Sequence, residues 1–194
     1  MKESLHVSNT SGTIRELLRQ GQYPILAFER ALLRLELERF GVEQGVLGKL
    51  LGEAMEQSSE TWHDNAPADA INHESRILSQ RAEKTITQLD SAVVVTYPEA
   101  DYTTVTLGSI LGIMRPGDTN IELLLLTGLS RNAPHLRGNK LVPGGLDVVT
   151  VHSPIGEAVL GLELGSIASY EANARRLSFE VASVDQIIAQ DIAS

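Results

Sequence analysis

The stretch ADAINHESRILSQRAEKTITQLD, residues 68–90, determines the architecture of the first half of the chain. Small and apolar side chains recur in it at alternating steps of four and three residues. They are Ile71, Ser75, Leu78, Ala82, Thr85 and Leu89. This heptad spacing is typical of a helix that packs lengthwise along a partner helix. The stretch therefore predicts a long helix with one side against a second helix.

The partner helix is predicted within residues 25–57, where Ala, Leu, Glu and Arg dominate. Its predicted apolar stripe is Ile25, Phe28, Leu32 and Leu35, then, after an interruption, Val42, Val46 and Leu50. Pro24 suits a first helical turn, and a bend near Gly41 is left open. Ser, Asn, Asp and Pro in residues 58–69 predict a turn. The two helices should therefore pair antiparallel and carry this turn as an exposed tip.

The second half of the chain changes to a strand-like pattern after Leu89. Four segments are rich in Val, Ile, Leu and Thr and predict strands: residues 92–97, 103–114, 121–127 and 146–152. Ser153 as N-cap and Pro154 in the first turn predict a short helix that Gly161 ends. Residues 166–170 and 177–184 predict a hairpin, and residues 185–193 a final helix. The predicted fold class is α+β, with an N-terminal extension at 1–22, a helical hairpin at 23–90 and a β-rich domain at 91–194.

The composition excludes several kinds of site. The chain of 194 residues has no cysteine, which excludes disulfides, thiolate metal sites and cysteine nucleophiles. Its net charge of −9 disfavours a broad surface for duplex nucleic acid, because phosphates are neutralised by clustered Lys and Arg. No apolar run approaches the roughly 18 residues of a membrane span, and residues 1–10 lack the apolar segment of a signal peptide. We expect a cytoplasmic protein that works in nucleic-acid metabolism, if it does, through a protein partner.

The segment VHSPIGEAVLG, residues 151–161, combines a strand, an SPIG-type turn and a short helix of small residues, and a Leu-Gly pair follows at 164–165. It closely resembles the signature of the C-terminal domain of the Gre family of transcription elongation factors. The segment VTLGS at 105–109 and residues 177–184 resemble two further strands of that domain. The resemblance covers about residues 103–184, and it implies an FKBP-like fold for residues 91–194.

The segment ETWHDNA, residues 60–66, resembles in part the D-x-x-E-N-A motif that Gre factors carry at the tip of their coiled coil. Its last three residues fall on E-N-A, whereas Thr61 takes the first acidic position, with Glu60 beside it. The resemblance implies that Asp64 and Glu60 are the catalytic and metal-holding residues. They would help RNA polymerase to hold a second Mg²⁺, an ion that prefers oxygen ligands and that in two-metal sites stabilises the attacking and leaving oxygens.

The resemblance also implies the partners. The globular domain, with Ser153, Pro154, Ile155 and Gly156 as polymerase-binding residues, would dock at the rim of the secondary channel of RNA polymerase. The hairpin would pass down this channel, so that the polymerase's own site cleaves backtracked RNA. The chain would thus not be an enzyme by itself and would have no cofactor of its own. It would meet RNA only at the nascent 3′ end inside the polymerase, and no membrane is implied.

Two other functions compete with this interpretation. The altered tip, with Thr61 in an acidic position and Pro67 after Asn-Ala, favours a non-cleaving paralogue that occupies the channel and regulates or inhibits RNA polymerase. A prolyl isomerase is suggested only by the FKBP-like fold, which does not by itself specify an activity. The scarcity of aromatic residues, 4% of the chain, argues against a proline pocket.

Several residues have a structural interpretation beside the functional one. Asp64 would also suit a helix cap or a solvated turn, and Asp69 a first-turn acid that the helix dipole favours. Trp62 would seal the turn or touch the polymerase, and His63 and His73 are expected to be solvated. A basic island in residues 131–145 is expected to be a solvated loop or a contact with an acidic polymerase surface; its members are Arg131, His135, Arg137 and Lys140. The extension at 1–22 would add a helix to the globular domain or mediate dimerisation.

Overall fold

The structure, a computed structural model, describes residues 7–57, 66–97, 103–129 and 146–186. The chain divides into two compact units. The globular unit comprises Met1–Glu29 and Ala92–Ser194, and the hairpin unit comprises Arg30–Ser91. This division falls after Glu29, whereas the sequence placed the start of the hairpin at residue 23. The difference arises because residues 23–25 form a strand that pairs within the globular unit.

The hairpin unit contains α3 (Ala66–Asp90) and all of α2 (Ala27–Gln57) except its first three residues. The Thr85 hydroxyl donates to the Glu36 carboxylate at 3.4 Å, and the Gln44 side-chain amide donates to the Ser75 hydroxyl at 2.6 Å. A later residue of α2 thus meets an earlier residue of α3, which is the register of an antiparallel pair. With the β-rich unit described below, this confirms the predicted α+β fold class.

The heptad seam of α3 is confirmed. Leu78 and Thr85 are buried, and the other four predicted positions are half-buried. The side chains between seam positions are exposed, apart from Gln88. The seam continues one step toward the start of the helix, because Ala68 is buried as well.

The predicted apolar stripe holds only at its beginning, where Ile25 and Phe28 are buried and Leu32 is half-buried, and it is wrong from Leu35 onward. The seam of α2 is formed by side chains that step by four, three, seven, four and three residues, and they are Leu33, Leu37, Phe40, Leu47, Leu51 and Ala54. In contrast, Leu35, Val42, Val46 and Leu50 are exposed. Successive steps of four advance by more than one helical turn, so a 42–46–50 stripe drifts away from a straight seam. The helix is continuous through Gly41 and has no break there.

The globular unit contains two helices and seven strands within the described ranges. They are α1 (Ser11–Arg19), β1 (Tyr23–Ile25), β2 (Ala92–Val94), β3 (Ser109–Met114), β4 (Ile121–Thr127), β5 (Asp147–Thr150), α4 (Pro154–Val159), β6 (Ile167–Ala172) and β7 (Arg175–Gln186). Five strands form one sheet in the order β5-β4-β3-β7-β6, in which only β4 and β5 are parallel. β1 and β2 form a separate parallel pair. Fully buried side chains from β3, β4 and β7, such as Leu111, Leu125 and Val181, supply much of the core.

Three local predictions in this unit are corrected. Pro24 lies in β1 opposite Val93, and the following helix begins only at Ala27. The predicted strand 103–114 begins at Ser109, because Gly108 has a positive φ of 92° that interrupts the extended chain. Asp185 and its neighbour extend β7 instead of starting a helix, and residues 187–194 lie outside the described residues.

Residues 7–19 are part of the globular unit. Thr10 caps α1 by accepting a hydrogen bond from the backbone of Thr13, and Ile14 is fully buried. Before the helix, the Asn9 side-chain amide accepts from the backbone N–H of Leu107 at 3.2 Å and donates to its carbonyl at 2.7 Å. The described part of the N-terminal extension therefore packs against the β-rich domain.

Candidate functional site

The predicted catalytic and metal-holding residues, Glu60 and Asp64, lie outside the described residues, as do Thr61, Trp62 and His63. Their roles remain predictions from the sequence. Among the described residues, no group of three or more His, Asp or Glu side chains could hold a metal ion. The basic island at 131–145 also lies outside the described residues.

The residues that follow the tip are well defined. Asp69 is exposed in the first turn of α3, where the positive end of the helix dipole favours an acid, as predicted. Pro67 lies in the same turn, a position that tolerates proline because the first backbone N–H groups have no partner within the helix. His73 is exposed, as predicted. Pro67 therefore fits a normal helix start immediately after the tip.

The SPIG-type turn is held by Ser153. Its hydroxyl donates to the Thr150 carbonyl at 2.7 Å and accepts from the Gly156 backbone N–H at 3.1 Å. The Ser153 backbone N–H also donates to the Thr150 carbonyl, at 3.0 Å. This is the predicted N-cap, and Pro154 occupies the predicted first-turn position of α4. One hydroxyl thus fixes both the end of β5 and the start of α4.

Gly156 is required by the close approach of α4 to the end of β5. A Cβ at this position would overlap the Thr150 carbonyl, and the residue is buried. At the other end of α4, Gly161 has a positive φ of 81°, a conformation that favours glycine. The predicted helix end at Gly161 is therefore confirmed to within two residues, since α4 ends at Val159.

The surface that α4 offers to a partner is small. Pro154 and Glu157 are exposed, Ile155 is half-buried and Gly156 is buried. Among the four predicted polymerase-binding residues, Ser153 and Gly156 therefore act on the shape of the turn, whereas Pro154 and part of Ile155 are accessible. Glu157 adds a carboxylate to this accessible surface.

An aromatic contact supports the residue before the turn. The rings of Tyr23 and His152 are 5.2 Å apart between centroids and tilted by 58°. Loss of water around the imidazole lowers the pKa of His152, and the carboxylate of Glu157 acts weakly in the opposite direction. The neutral imidazole is thus favoured in the folded protein.

The support that α1 gives to α4 was not found from the sequence. The Arg15 guanidinium donates to the Leu160 carbonyl at 2.8 Å, one of the carbonyls that a helix end leaves without a partner in the helix. Ser11 lies against Gly161, so that a Cβ at Gly161 would be only 2.7 Å from the Cβ of Ser11. No pattern in residues 1–22 could reveal these contacts, because they join residues about 145 positions apart.

A buried carboxylate at the start of α2 was also missed. Glu29 is 3% exposed, and it accepts hydrogen bonds from the backbone N–H groups of Leu26, Gly128 and Leu129 at 2.9–3.3 Å. Three backbone donors compensate a buried carboxylate for much of the water it loses. The contact joins the first turn of α2 to the segment that follows β4.

Comparison with known proteins gives matches in structure only. No protein-family model and no curated protein matches the chain. The chain is similar to the crystal structure of GreA factor homolog 1 from Thermus thermophilus at 20% identity and a TM-score of 0.38, over 84% of this chain and 99% of the other. The same factor from Thermus aquaticus matches at 19% identity and a TM-score of 0.38, over 84% and 97% of the two chains.

A third structure is the elongation factor GreA/GreB from Nitrosomonas europaea, at 21% identity and a TM-score of 0.32, over 60% of this chain and 91% of the other. These proteins carry the names of the family that residues 151–165 resemble. Among the helices in the described ranges, none combines the length and the apolar character of a membrane span.

Proposed function

We propose that this protein is a Gre-like transcription elongation factor that binds RNA polymerase and inserts its hairpin tip into the secondary channel. The observation that carries the proposal is the turn at residues 150–156. Three of the four SPIG residues have a structural reason there, since Ser153 caps the helix, Pro154 starts it and Gly156 permits the close approach to Thr150. The resemblance thus extends from letters to the local structure that they produce.

The hairpin supports the same proposal. Helix α2 has 31 residues and α3 has 25, which at 1.5 Å per residue correspond to about 46 Å and about 37 Å. The two helices are continuous on either side of residues 58–65. An unbroken antiparallel pair of this length is suited to carry two carboxylates into a deep channel.

The chemistry proposed for the tip is assistance to another protein's active site. Asp64 and Glu60 would supply carboxylate oxygens, the donor type that Mg²⁺ accepts most readily. The ion would be shared with the polymerase and would supply electrostatic stabilisation of the cleaved phosphodiester. The chain itself would bind RNA polymerase, extend its hairpin to the active site and help to hold the Mg²⁺. The groups that break the bond would be those of the polymerase. Such a factor would work in the cytoplasm beside the transcribing enzyme.

A non-cleaving regulator of the same scaffold is the second candidate, and Thr61 favours it. This residue stands where the Gre tip motif has its first acid. Pro67 does not favour it further, because the first turn of α3 accommodates this proline. Occupation of the channel without cleavage would then be the whole activity.

A transcript-cleavage assay tests the first candidate against the second. Purified elongation complexes that are stalled in a backtracked position are incubated with the full chain or with Asp64→Ala or Glu60→Ala. For a cleavage factor, the wild-type chain shortens the RNA from its 3′ end and each variant does so at least about tenfold more slowly, equivalent to 1.4 kcal/mol in the barrier. Asp69→Ala serves as the control, since this exposed acid lies in the first turn of α3 and should leave the rate unchanged.

Restoring the missing acid gives a second arm of the same assay. If Thr61 is what weakens the tip, Thr61→Asp accelerates cleavage over the wild-type chain, because a second carboxylate would again face the metal. Binding to the polymerase without any cleavage, by both the wild-type chain and Thr61→Asp, would favour the non-cleaving regulator. Absence of binding would contradict both candidates.

A further inference from the structure

The hairpin unit has an exposed apolar stripe that its own helix pairing does not use. Val42, Val46 and Leu50 follow one another at steps of four on α2 and are 69%, 52% and 43% exposed. Ile77 of α3 is 38% exposed and lines the same groove. Single exposed apolar side chains are ordinary, but a contiguous set of them commonly marks an interaction site. We name Val42, Val46 and Leu50 the α2 stripe.

The α2 stripe runs beside the seam of the hairpin and lines a groove with Leu47 and Leu78 of the seam. The seam side of α2 is filled by Leu37, Phe40, Leu47 and Leu51, which are buried or half-buried. Around the helix axis Val42 and Val46 are offset from these side chains, whereas Leu50, three residues after Leu47, lies at the edge of the seam side. Its burial would therefore require a second surface and would leave the pairing of α2 with α3 unchanged.

The charges around the stripe are arranged symmetrically about Val46. Arg39 lies seven residues before it and Glu53 seven residues after it, and seven residues make about two helical turns. Both charged side chains therefore share the face of Val46, and both residues are exposed. An acid and a base at equal distances on opposite sides of a central valine make the face complementary to itself when one copy is reversed.

Two α2 helices that pair antiparallel about Val46 would match at every position of this face. Val42 of one copy would lie opposite Leu50 of the other, Val46 would lie opposite Val46, and Arg39 would lie opposite Glu53 twice. A parallel pairing would instead oppose Arg39 to Arg39 and Glu53 to Glu53, and like charges so placed are unfavourable. The charge pattern therefore selects a second copy in the reversed orientation.

Arg39 is available for such a contact. Its nearest recorded acid is Glu43 at 4.0 Å, with the two side chains 79% and 52% exposed. An exposed pair at this separation on one helix contributes at most about 0.5 kcal/mol, so it does not hold the guanidinium in place.

From this self-complementary face we propose that the chain forms an antiparallel homodimer through the α2 stripe. Rows of residues at steps of four pack into one another at a crossing angle of about −50°, so the apolar contact would be centred on Val46 and the long side chains of Arg39 and Glu53 would reach across at its two ends. A contact of this size gives a weak dimer, with a Kd in the range of about 10–100 µM. The dimer goes beyond the proposed function and does not depend on it.

Sedimentation velocity of the full chain from about 5 to about 500 µM tests the proposal. The wild-type chain should shift from monomer to dimer over this range. Val46→Glu should abolish the shift, because it would place two carboxylates against each other at the centre. Arg39→Glu and Glu53→Arg should each raise the Kd at least about tenfold, and the double variant should restore it to within about threefold of wild type, since the opposed charges are then exchanged.

Arg76→Glu is the matched control, because it makes the same change in charge at an exposed position of α3 that does not line the groove. It should leave the Kd unchanged, and circular dichroism should show equal helix content in all variants, whose altered side chains are exposed. A wild-type chain that stays monomeric at the highest concentration would overturn the proposal. So would a double variant as weak as the single ones, or a Val46→Glu chain that still dimerises. None of these outcomes bears on binding to the polymerase.

Discussion

At the scale of single residues, the shape of the candidate site depends on the absence of a side chain at Gly156. The α4 backbone passes so close to β5 that a Cβ would meet the Thr150 carbonyl. The same carbonyl accepts from both the hydroxyl and the backbone N–H of Ser153. The Thr150 carbonyl therefore cannot move away without loss of the helix cap. A larger side chain at position 156 would clash with it, and a shift of this carbonyl could not relieve the clash.

Gly156→Ala should destabilise the globular unit by about 2–4 kcal/mol, a typical range for overpacking combined with a lost cap. Gly41→Ala is the matched control, since Gly41 lies within α2 and a Cβ there meets nothing within 4 Å. This second change should stabilise the hairpin by about 0.5–1 kcal/mol through the higher helix propensity of alanine. Urea unfolding curves of the two variants measure both effects. A Gly156→Ala chain that is as stable as the wild type, or more stable, would contradict the close approach at Gly156.

Glu29 gives a prediction about buried polar contacts, because its two side-chain oxygens accept hydrogen bonds from backbone N–H groups. Glu29→Gln keeps the size of the side chain but replaces one acceptor oxygen by an NH₂ group that faces backbone donors. We expect a loss of about 2–4 kcal/mol in the free energy of unfolding, because buried donors are left without an acceptor. Glu38→Gln, at an exposed position of α2, should change this free energy by less than about 0.5 kcal/mol. Similar values for the two variants would show that the Glu29 contacts do not stabilise the fold.

His152 links stability to pH. Desolvation lowers its pKa in the folded chain below the unfolded value of about 6.5. Its contribution is therefore fully present above pH 6.5 and is lost as the pH falls toward the folded pKa. The size of the effect is small, because His152 is exposed. Relative to His152→Phe, which keeps a ring beside Tyr23, the wild-type chain should lose stability between about pH 7 and pH 5. A constant difference over this range would contradict the lowered pKa.

At the scale of elements, the sequence predicted α3 better than α2 for a definite reason. In α3 the seam residues form one long series at alternating steps of four and three, and the exposed Ile77 and Ile86 form no comparable series. In α2, both the seam and the α2 stripe are apolar. The spacing of Val42, Val46 and Leu50 is therefore as compatible with a buried series as the spacing of Leu47 and Leu51. Only the position of the partner helix decides which set is buried, and the sequence of α2 alone does not specify that position.

The neighbours Ile77 and Leu78 of α3 separate seam from surface. Leu78 is 7% exposed and Ile77 is 38% exposed. Leu78→Ala should cost about 2–4 kcal/mol of hairpin stability through lost burial and the cavity that remains, whereas Ile77→Ala should cost less than about 1 kcal/mol in dilute protein. Loss of the helical circular dichroism signal on heating measures the difference. A larger cost for Ile77 would place the seam on the wrong side of α3.

The β-rich elements show what the sequence predicts well and what it does not. Strand β4, the α4 cap and the β6–β7 hairpin follow from local signals, namely apolar runs, a Ser-Pro start and alternation. The strand conformation at Pro24 and the end of the extended chain at Gly108 depend on contacts with residues far away in the sequence. β1 pairs with β2 across the whole hairpin sequence, and the segment before Gly108 bonds to Asn9 and to residues 161–164. Such pairings leave no mark in a short window of sequence.

At the scale of the whole molecule, the two units have separate tasks in the proposed function. The globular unit presents the surface around Pro154, and the hairpin unit carries residues 58–65 at the end of two long helices. In the proposed function, the sequence motifs at residues 60–66 and 151–161 serve the same partner, RNA polymerase. The central claim is that this tip comes close to the active site of RNA polymerase.

Local cutting of the polymerase from the tip tests this claim most directly. The chain has no cysteine, so Trp62→Cys or Lys84→Cys provides a single site for an iron chelate that generates hydroxyl radicals. In a complex with RNA polymerase, we expect the chelate at position 62 to cut segments that form the catalytic centre, and the chelate at position 84 of α3 to cut elsewhere. Cuts from position 62 that fall only on the outer surface of the polymerase, or no cuts at all, would contradict the account.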